Sequence, residues 1–298
     1  MHDAAGELTD IAGPDATGPV DSAPRRARAK IGLFLILVVV FAAALDVART
    51  AVPFGAKLAV LTWTPLLADT LGMWSVGLAG AIALAVVDRS VRDFGLKAAR
   101  RRYVFLALTL PFVFGAVVYV PVWLLELGGF AGAALLGSAV PSALLHFPLH
   151  LFAAAGEEFG WRGVLVPNLA RISGSKVVAF LPGAVWALWH YPDILFFDYN
   201  VGTPFPFAMT CFSISLVGAG AFLSWIRLAS GSVWPAVIFH GVHNSVISGI
   251  FDRLTEPKPI TLYITSEFGI GMAVVGAVVG YLSWRKLHLE EQGWGRTR

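Results

Sequence analysis

Apolar positions fall in long blocks along this chain, at approximately 31–48, 70–87, 103–125, 141–161, 177–191, 207–226, 234–251 and 261–284. A helix needs about 20 such residues to cross the hydrocarbon core of a bilayer. The pattern therefore predicts an all-α fold, a polytopic bundle of about eight transmembrane helices. A further apolar piece, 51–68, is interrupted by Pro53, Lys57 and Pro65. Irregular backbone at membrane depth survives only where protein or water covers it, so this piece is expected to be re-entrant or interfacial. Residues 1–24 are rich in Asp, Gly, Ala and Pro and hold no aromatic residue. They cannot bury a core and are expected to be disordered. With the basic residues that follow they form an expected tail at 1–29, ahead of a membrane domain at 30–286 and a short tail at 287–298.

Composition agrees with this reading. The chain is 57% hydrophobic and 14% charged, where soluble domains carry about 25% charged residues. A soluble domain is excluded, the partner implied is the lipid bilayer, and no nucleic acid is expected. Orientation follows from where the basic residues fall. In the eight-span reading all but four of the 22 lie on one side, the exceptions being Arg49, Lys57, Arg253 and Lys258. That side is then cytoplasmic and holds both termini of a multi-pass cell-membrane protein. Counting 51–68 as a span would send the basic block 88–102 outside. Cys211 is the one cysteine, so no intrachain disulfide is possible.

A charge at the bilayer centre costs at least about 2.5–3.5 kcal/mol on insertion scales. Ionisable residues inside apolar blocks are therefore functional candidates, and three clusters stand between 141 and 251. The first is "EEFGWR". Glu158 and Arg162 lie four apart on one helix face and can pair, leaving Glu157 about 100° away, free to point into an intramembrane polar cavity. A carboxylate taken out of water becomes a better proton acceptor, which suits a general base acting on water. The plain alternative is a helix end with an ordinary ion pair. The second cluster, "VWALWH", sets Trp186 and His190 four apart, although a lone histidine before Pro192 is more often structural. The third, "HGVHN", puts His240 and Asn244 on one side with His243 beside them. Such groups bind a developing oxyanion or serve as interhelical glue.

Together the three outline a hydrolytic site. Glu157 would activate water, His190 would hold or relay its proton, and His240 and Asn244 would stabilise the oxyanion. His146 and His150 also invite a metal reading, but Pro148 between them favours a helix start or kink. One conflict stands. At 1.5 Å per residue, His190 lies about 20 Å in from residue 177 and His240 about 9 Å in from 234. Either the boundaries shift, the helices tilt, or 172–178 is partly in the membrane.

The pattern Glu157-Glu158-x-x-x-Arg162, Trp186-x-x-x-His190 and His240-x-x-x-Asn244 resembles the CPBP family, the CAAX prenyl endopeptidases of the Rce1 type, also called Abi proteins. The resemblance covers about 139–250, with "RDFGL" (92–96) a weaker upstream match. It departs from the family where Trp186 stands in place of the usual Phe. The resemblance implies an eight-helix intramembrane endopeptidase whose cavity opens toward the cytoplasm. Glu157 would be the base, with Glu158 its arginine-paired neighbour and His190, His240 and Asn244 completing the site.

Family members are often labelled metalloproteases, and Glu157, His190 and His240 would be the ligands if zinc were used. The chain lacks His-Glu-x-x-His, and Asn is an unusual zinc ligand, so a metal-independent site is expected. The substrate class is a peptide or lipidated protein. The alternative is a non-catalytic immunity or scaffold protein that binds peptides in the same cavity. A transporter would be expected to show inverted repeats, and none stands out.

Overall fold

Each apolar block becomes a helix. The computed structural model describes residues 22–51, 64–200 and 202–295. Among them are α1 (Ser22–Ala51), α2 (Thr64–Asp88), α3 (Arg101–Leu124), α4 (Ala133–Gly160), α5 (Ser175–Phe196), α6 (Phe205–Ser230), α7 (Trp234–Val246) and α8 (Ile270–Gly295). α4 runs on through a π turn, Trp161–Leu165, into a last turn at Val166–Leu169. α7 runs on into a π turn at Ile247–Asp252. Two short antiparallel strands, β1 (Gly129–Phe130) and β2 (Thr255–Glu256), join the loops after α3 and α7, with Gly129 opposite Glu256.

Six of the eight helices are long and apolar enough to cross a membrane by themselves. The other two are α5 and α7, which carry His190 and the His240–Asn244 pair. Helices that carry a polar site can be short and less apolar because neighbouring helices, rather than lipid, cover them.

Several boundaries differ from those expected. α1 begins at Ser22, so the basic segment 25–30 is helical. Lys30 is buried there and pairs with Asp88 at 2.6 Å, and Arg26 reaches the same carboxylate at 3.1 Å. α4 begins at Ala133 and contains both Pro141 and Pro148, so Pro148 does not start the helix. α8 begins at Ile270 rather than 261, because polar side chains divert the chain ahead of it. Thr261 donates to the Leu127 carbonyl at 2.5 Å, and the Ser266 amide donates to the Tyr119 hydroxyl at 2.9 Å. At its far end α8 continues to Gly295, through most of the expected tail. The expected disordered segment lies outside the described residues up to 21, as does 52–63 of the 51–68 piece.

The helix ends sort into two layers. Lys30 and Asp88 join the start of α1 to the end of α2, and the Ser175 amide meets Glu291 at 3.2 Å, joining the start of α5 to the end of α8. On the opposite layer, Arg49 pairs with Asp193 at 2.6 Å and lies over Phe197, joining the ends of α1 and α5. Arg253 and Ser142 meet there too, at 2.8 Å.

Small residues let the helices approach closely, as membrane helix packing requires. A Cβ on Gly218 of α6 would sit 1.9 Å from the Gly276 carbonyl oxygen of α8. Backbone cannot yield as a flexible side chain can. Gly218→Ala is therefore expected to destabilise the protein by about 1–3 kcal/mol, the usual cost of overpacking. Thermal unfolding in detergent measures this, and an unchanged midpoint would show that α6 and α8 do not pack this closely.

Candidate active site

Gly156, Gly160 and Gly163 share one stripe of α4 and its π turn, three and four residues apart. A Cβ at Gly156 would meet the Trp74 backbone at 2.8 Å, one at Gly160 would meet Val76 at 2.5 Å, and one at Gly163 would meet Phe94 at 2.7 Å. The glycine stripe thus presses against α2 and the 92–97 loop. The side chains between the glycines are directed to α5 and α7.

Those side chains are Glu157, Glu158 and Arg162, all fully buried. Glu158 Oε1 accepts from Arg162 at 3.0 Å, as the four-residue spacing predicts. The same oxygen accepts from His240 Nδ1, also at 3.0 Å. A carboxylate only accepts, so Nδ1 carries the proton and Nε2 faces away. Glu157 is held differently. Its Oε2 accepts from the indole N–H of Trp161 at 3.3 Å and from that of Trp186. Among the described residues its Oε1 has no hydrogen-bond partner. The two adjacent carboxylates are therefore in different chemical states. One is neutralised by a guanidinium and an imidazole, and the other is gripped on one side by neutral donors.

Trp186 also resolves the depth conflict. Its ring lies 5.2 Å from His240 and 4.6 Å from the Arg162 guanidinium. α5 therefore meets α4 and α7 at Trp186. His190 lies one turn further along, 6.2 Å from Trp186 between ring centroids. It is enclosed by Trp189 at 4.7 Å, Phe212 at 5.4 Å and Tyr199 at 5.6 Å. The structure thus gathers Glu157, Glu158, Arg162, Trp186 and His240 by direct contact and places His190 in an adjoining aromatic cage.

Beside them is a cavity of about 50 Å³, large enough for water, lined by Trp186, His240, His243, Asn244 and Glu267 among apolar residues. Glu157 contributes no surface to it, in contrast to the expectation that it points into the cavity, because the Trp161 and Trp186 indoles cover it. Among the described residues, His146 bonds the Ser142 carbonyl of its own helix. Among the described residues, no group of three or more His, Cys, Asp or Glu side chains is arranged to hold a metal ion. Glu157, His190 and His240 are not such a group.

Some supporting residues were not singled out from sequence. Trp161 is one, although its place four residues after Glu157 was a readable signal. The "RDFGL" segment proves to be a clamp. Phe94 packs on Phe159 at 5.6 Å, and Gly95, in the left-handed region, accepts from the Val233 amide at 2.9 Å. Leu96 and Lys97 carbonyls accept from Trp234 and Ser232 at 2.9 and 2.6 Å. Arg227 adds a bond to the Arg162 carbonyl at 2.8 Å. These contacts fix the start of α7 against the π turn, and so fix His240 against Glu158.

Residues 139–246 match the family described as type II CAAX prenyl endopeptidase Rce1-like. A curated relative, CAAX prenyl protease 2 of Methanococcus maripaludis, is 31% identical over 149 residues, which are 49% of this chain and 52% of the relative. The chain thus spans about half the length of that relative. The matched segment begins inside α4 and ends with α7, and it contains every residue of the carboxylate–tryptophan–histidine cluster. Over that segment the chain is similar to the Rce1-like family.

Proposed function

We propose that this protein is an intramembrane endopeptidase that hydrolyses a peptide bond with a water activated by Glu157. The difference between the two neighbouring carboxylates carries the reading. Glu158 is charge-balanced and has a structural role. Glu157 keeps one oxygen without a protein partner, on a side chain fixed by two indole donors, which suits holding and deprotonating a water.

As the water attacks the carbonyl carbon, Glu157 takes its proton and later passes it to the leaving amine. The C–N bond breaks to give a carboxylate and an amine. His240 Nε2 and the Asn244 amide face the developing oxyanion. His240 donates there as the imidazolium, with its Nδ1 proton held by Glu158. His190 assists from the next turn of α5. This route is metal-independent. The relative's name supports a lipidated or membrane-anchored peptide as the substrate class. The basic layer holding the start of α1 and the end of α8 is the cytoplasmic one, so both termini are cytoplasmic.

Mass-spectrometric mapping of a peptide library, with prenylated and unmodified members, incubated with the detergent-solubilised protein tests the reading. Internal cleavage products are expected. Their absence from every library, with folded protein, would overturn it.

The role of Trp186 is testable in the same assay. A hydrogen bond to a charged group is worth about 1.5–3 kcal/mol. Trp186→Phe keeps the ring but drops the bond to Glu157, and kcat/KM is expected to fall roughly tenfold or more. Wild-type kinetics would remove Trp186 from the positioning of the base.

A further inference from the structure

Glu267 stands just before α8, beyond the segment that matches the family, and both of its neighbours are held. The Ser266 amide donates to the buried Tyr119 hydroxyl at 2.9 Å, and that hydroxyl donates to Asp252 at 2.5 Å. On the other side Phe268 is buried and stacks on Phe212 at 5.2 Å. Ser266 has a left-handed φ of 60°, a conformation uncommon outside glycine. Between these fixed points Glu267 forms part of the wall of the cavity that His240 and Asn244 also line. None of the ion pairs among the described residues includes Glu267.

Much of the remaining wall is apolar. α6 contributes Leu216, Ala219 and Leu223, and α8 contributes Met272, Val275 and Val279. Each set recurs every three or four residues, so each is one stripe of its helix. α8 ends in the layer of Ser175 and Glu291, so Glu267 lies toward the opposite end of the cavity from Val279. The cavity is thus a slot with two apolar stripes and an acid toward one end.

We propose that Glu267 is a specificity-determining residue, which pairs with a lysine side chain of the substrate beside the scissile bond while the lysine stem lies along the α6 and α8 stripes. The inference rests on the reading that this cavity receives the peptide to be cut. Lysine carries an apolar stem and a cationic head, which matches such a slot. An aliphatic side chain would leave the carboxylate facing apolar groups at membrane depth, which is costly, and an acidic one would be repelled. Size separates lysine from arginine. A water needs roughly 10–15 Å³ of cavity volume, so about 50 Å³ takes roughly three to five atoms of that size. The four-carbon stem and single nitrogen of lysine fill that space, and the forked guanidinium of arginine exceeds it.

The test uses the full chain in detergent and a cleavable peptide found in the library, with lysine, norleucine or glutamate placed on either side of the scissile bond. Norleucine keeps the carbon chain and lacks the ammonium. The readout is the ratio of kcat/KM values between peptides, which is independent of the fraction of protein that is active. The wild type is expected to favour lysine over norleucine by about 10- to 100-fold, as a charged hydrogen bond allows. In Glu267→Gln that ratio is expected to fall at least about tenfold, and Glu267→Lys is expected to favour the glutamate peptide over the lysine peptide. A wild type without preference for lysine on either side of the bond, or a preference that survives in Glu267→Gln, would overturn the proposal.

Binding needs no turnover. Fluorescence anisotropy with labelled peptides that carry lysine or norleucine at one central position is expected to show tighter binding of the lysine peptide by the wild type and not by Glu267→Gln. If no preparation cleaves peptide, the peptidase reading fails, and equal binding of the two peptides by the wild type would overturn the lysine site on its own.

Discussion

Glu157→Gln is expected to give a folded protein that binds peptide and does not cut it. The fold should survive because the glutamine oxygen can take the place of Oε2. There it accepts the same indole protons from Trp161 and Trp186. The amide nitrogen then falls where Oε1 stood, the oxygen without a partner among the described residues. The change is therefore almost confined to basicity. General-base catalysis contributes about 10²–10⁴-fold, so kcat is expected to fall by roughly a thousandfold. KM should stay within a few-fold, because the carboxylate lines no part of the cavity. Single-turnover cleavage measures the first quantity, and photocrosslinking of a labelled substrate peptide measures the second. Normal cleavage by the variant would remove Glu157 from the chemistry. Equal binding with no cleavage by either protein would favour the immunity or scaffold role.

The helices were legible in the sequence because a bilayer imposes one length and one composition on each of them. Local pairing was legible as well. The Glu158–Arg162 bond follows from a four-residue spacing that any helix satisfies. Contacts set by the packing of separate helices were not legible. Nothing in "VWALWH" distinguishes a tryptophan that packs from one whose indole reaches a carboxylate on α4. Nothing in "HGVHN" shows that Nδ1 of His240 is committed to Glu158. The conflict over depth arose from treating each histidine as the point where its helix meets the others. α5 meets the cluster one turn earlier, at Trp186. Glu267 was a different kind of miss, since it lay inside an expected span and was an ionisable residue in an apolar block. The cost of burying a charge in an apolar block marks it as it marks Glu157, but it stands apart in sequence from the three clusters. "RDFGL" carried little chemistry that a sequence displays, because its contribution is two backbone carbonyls and one buried ring.

Removing the guanidinium from Arg162 is expected to be the most destabilising single change in the site. Arg162 is fully buried, bonds Glu158 at 3.0 Å and lies over the Trp186 ring. Arg162→Met retains length and apolar bulk but leaves Glu158 with His240 as its only cationic neighbour in the cluster. Breaking a buried pair from one side costs about 3–5 kcal/mol, because the abandoned charge stays out of water. A large fall in the thermal midpoint in detergent, and loss of cleavage, are expected. Loss of both charges is far cheaper than loss of one. The double variant Arg162→Met/Glu158→Gln should therefore be more stable than Arg162→Met, with the glutamine oxygen still accepting from His240 Nδ1. Rescue of the fold by Glu158→Gln would identify charge balance as what Arg162 supplies. Additive losses in the double variant would show instead that the stack on Trp186, and not the pairing with Glu158, is what holds α4 against α5.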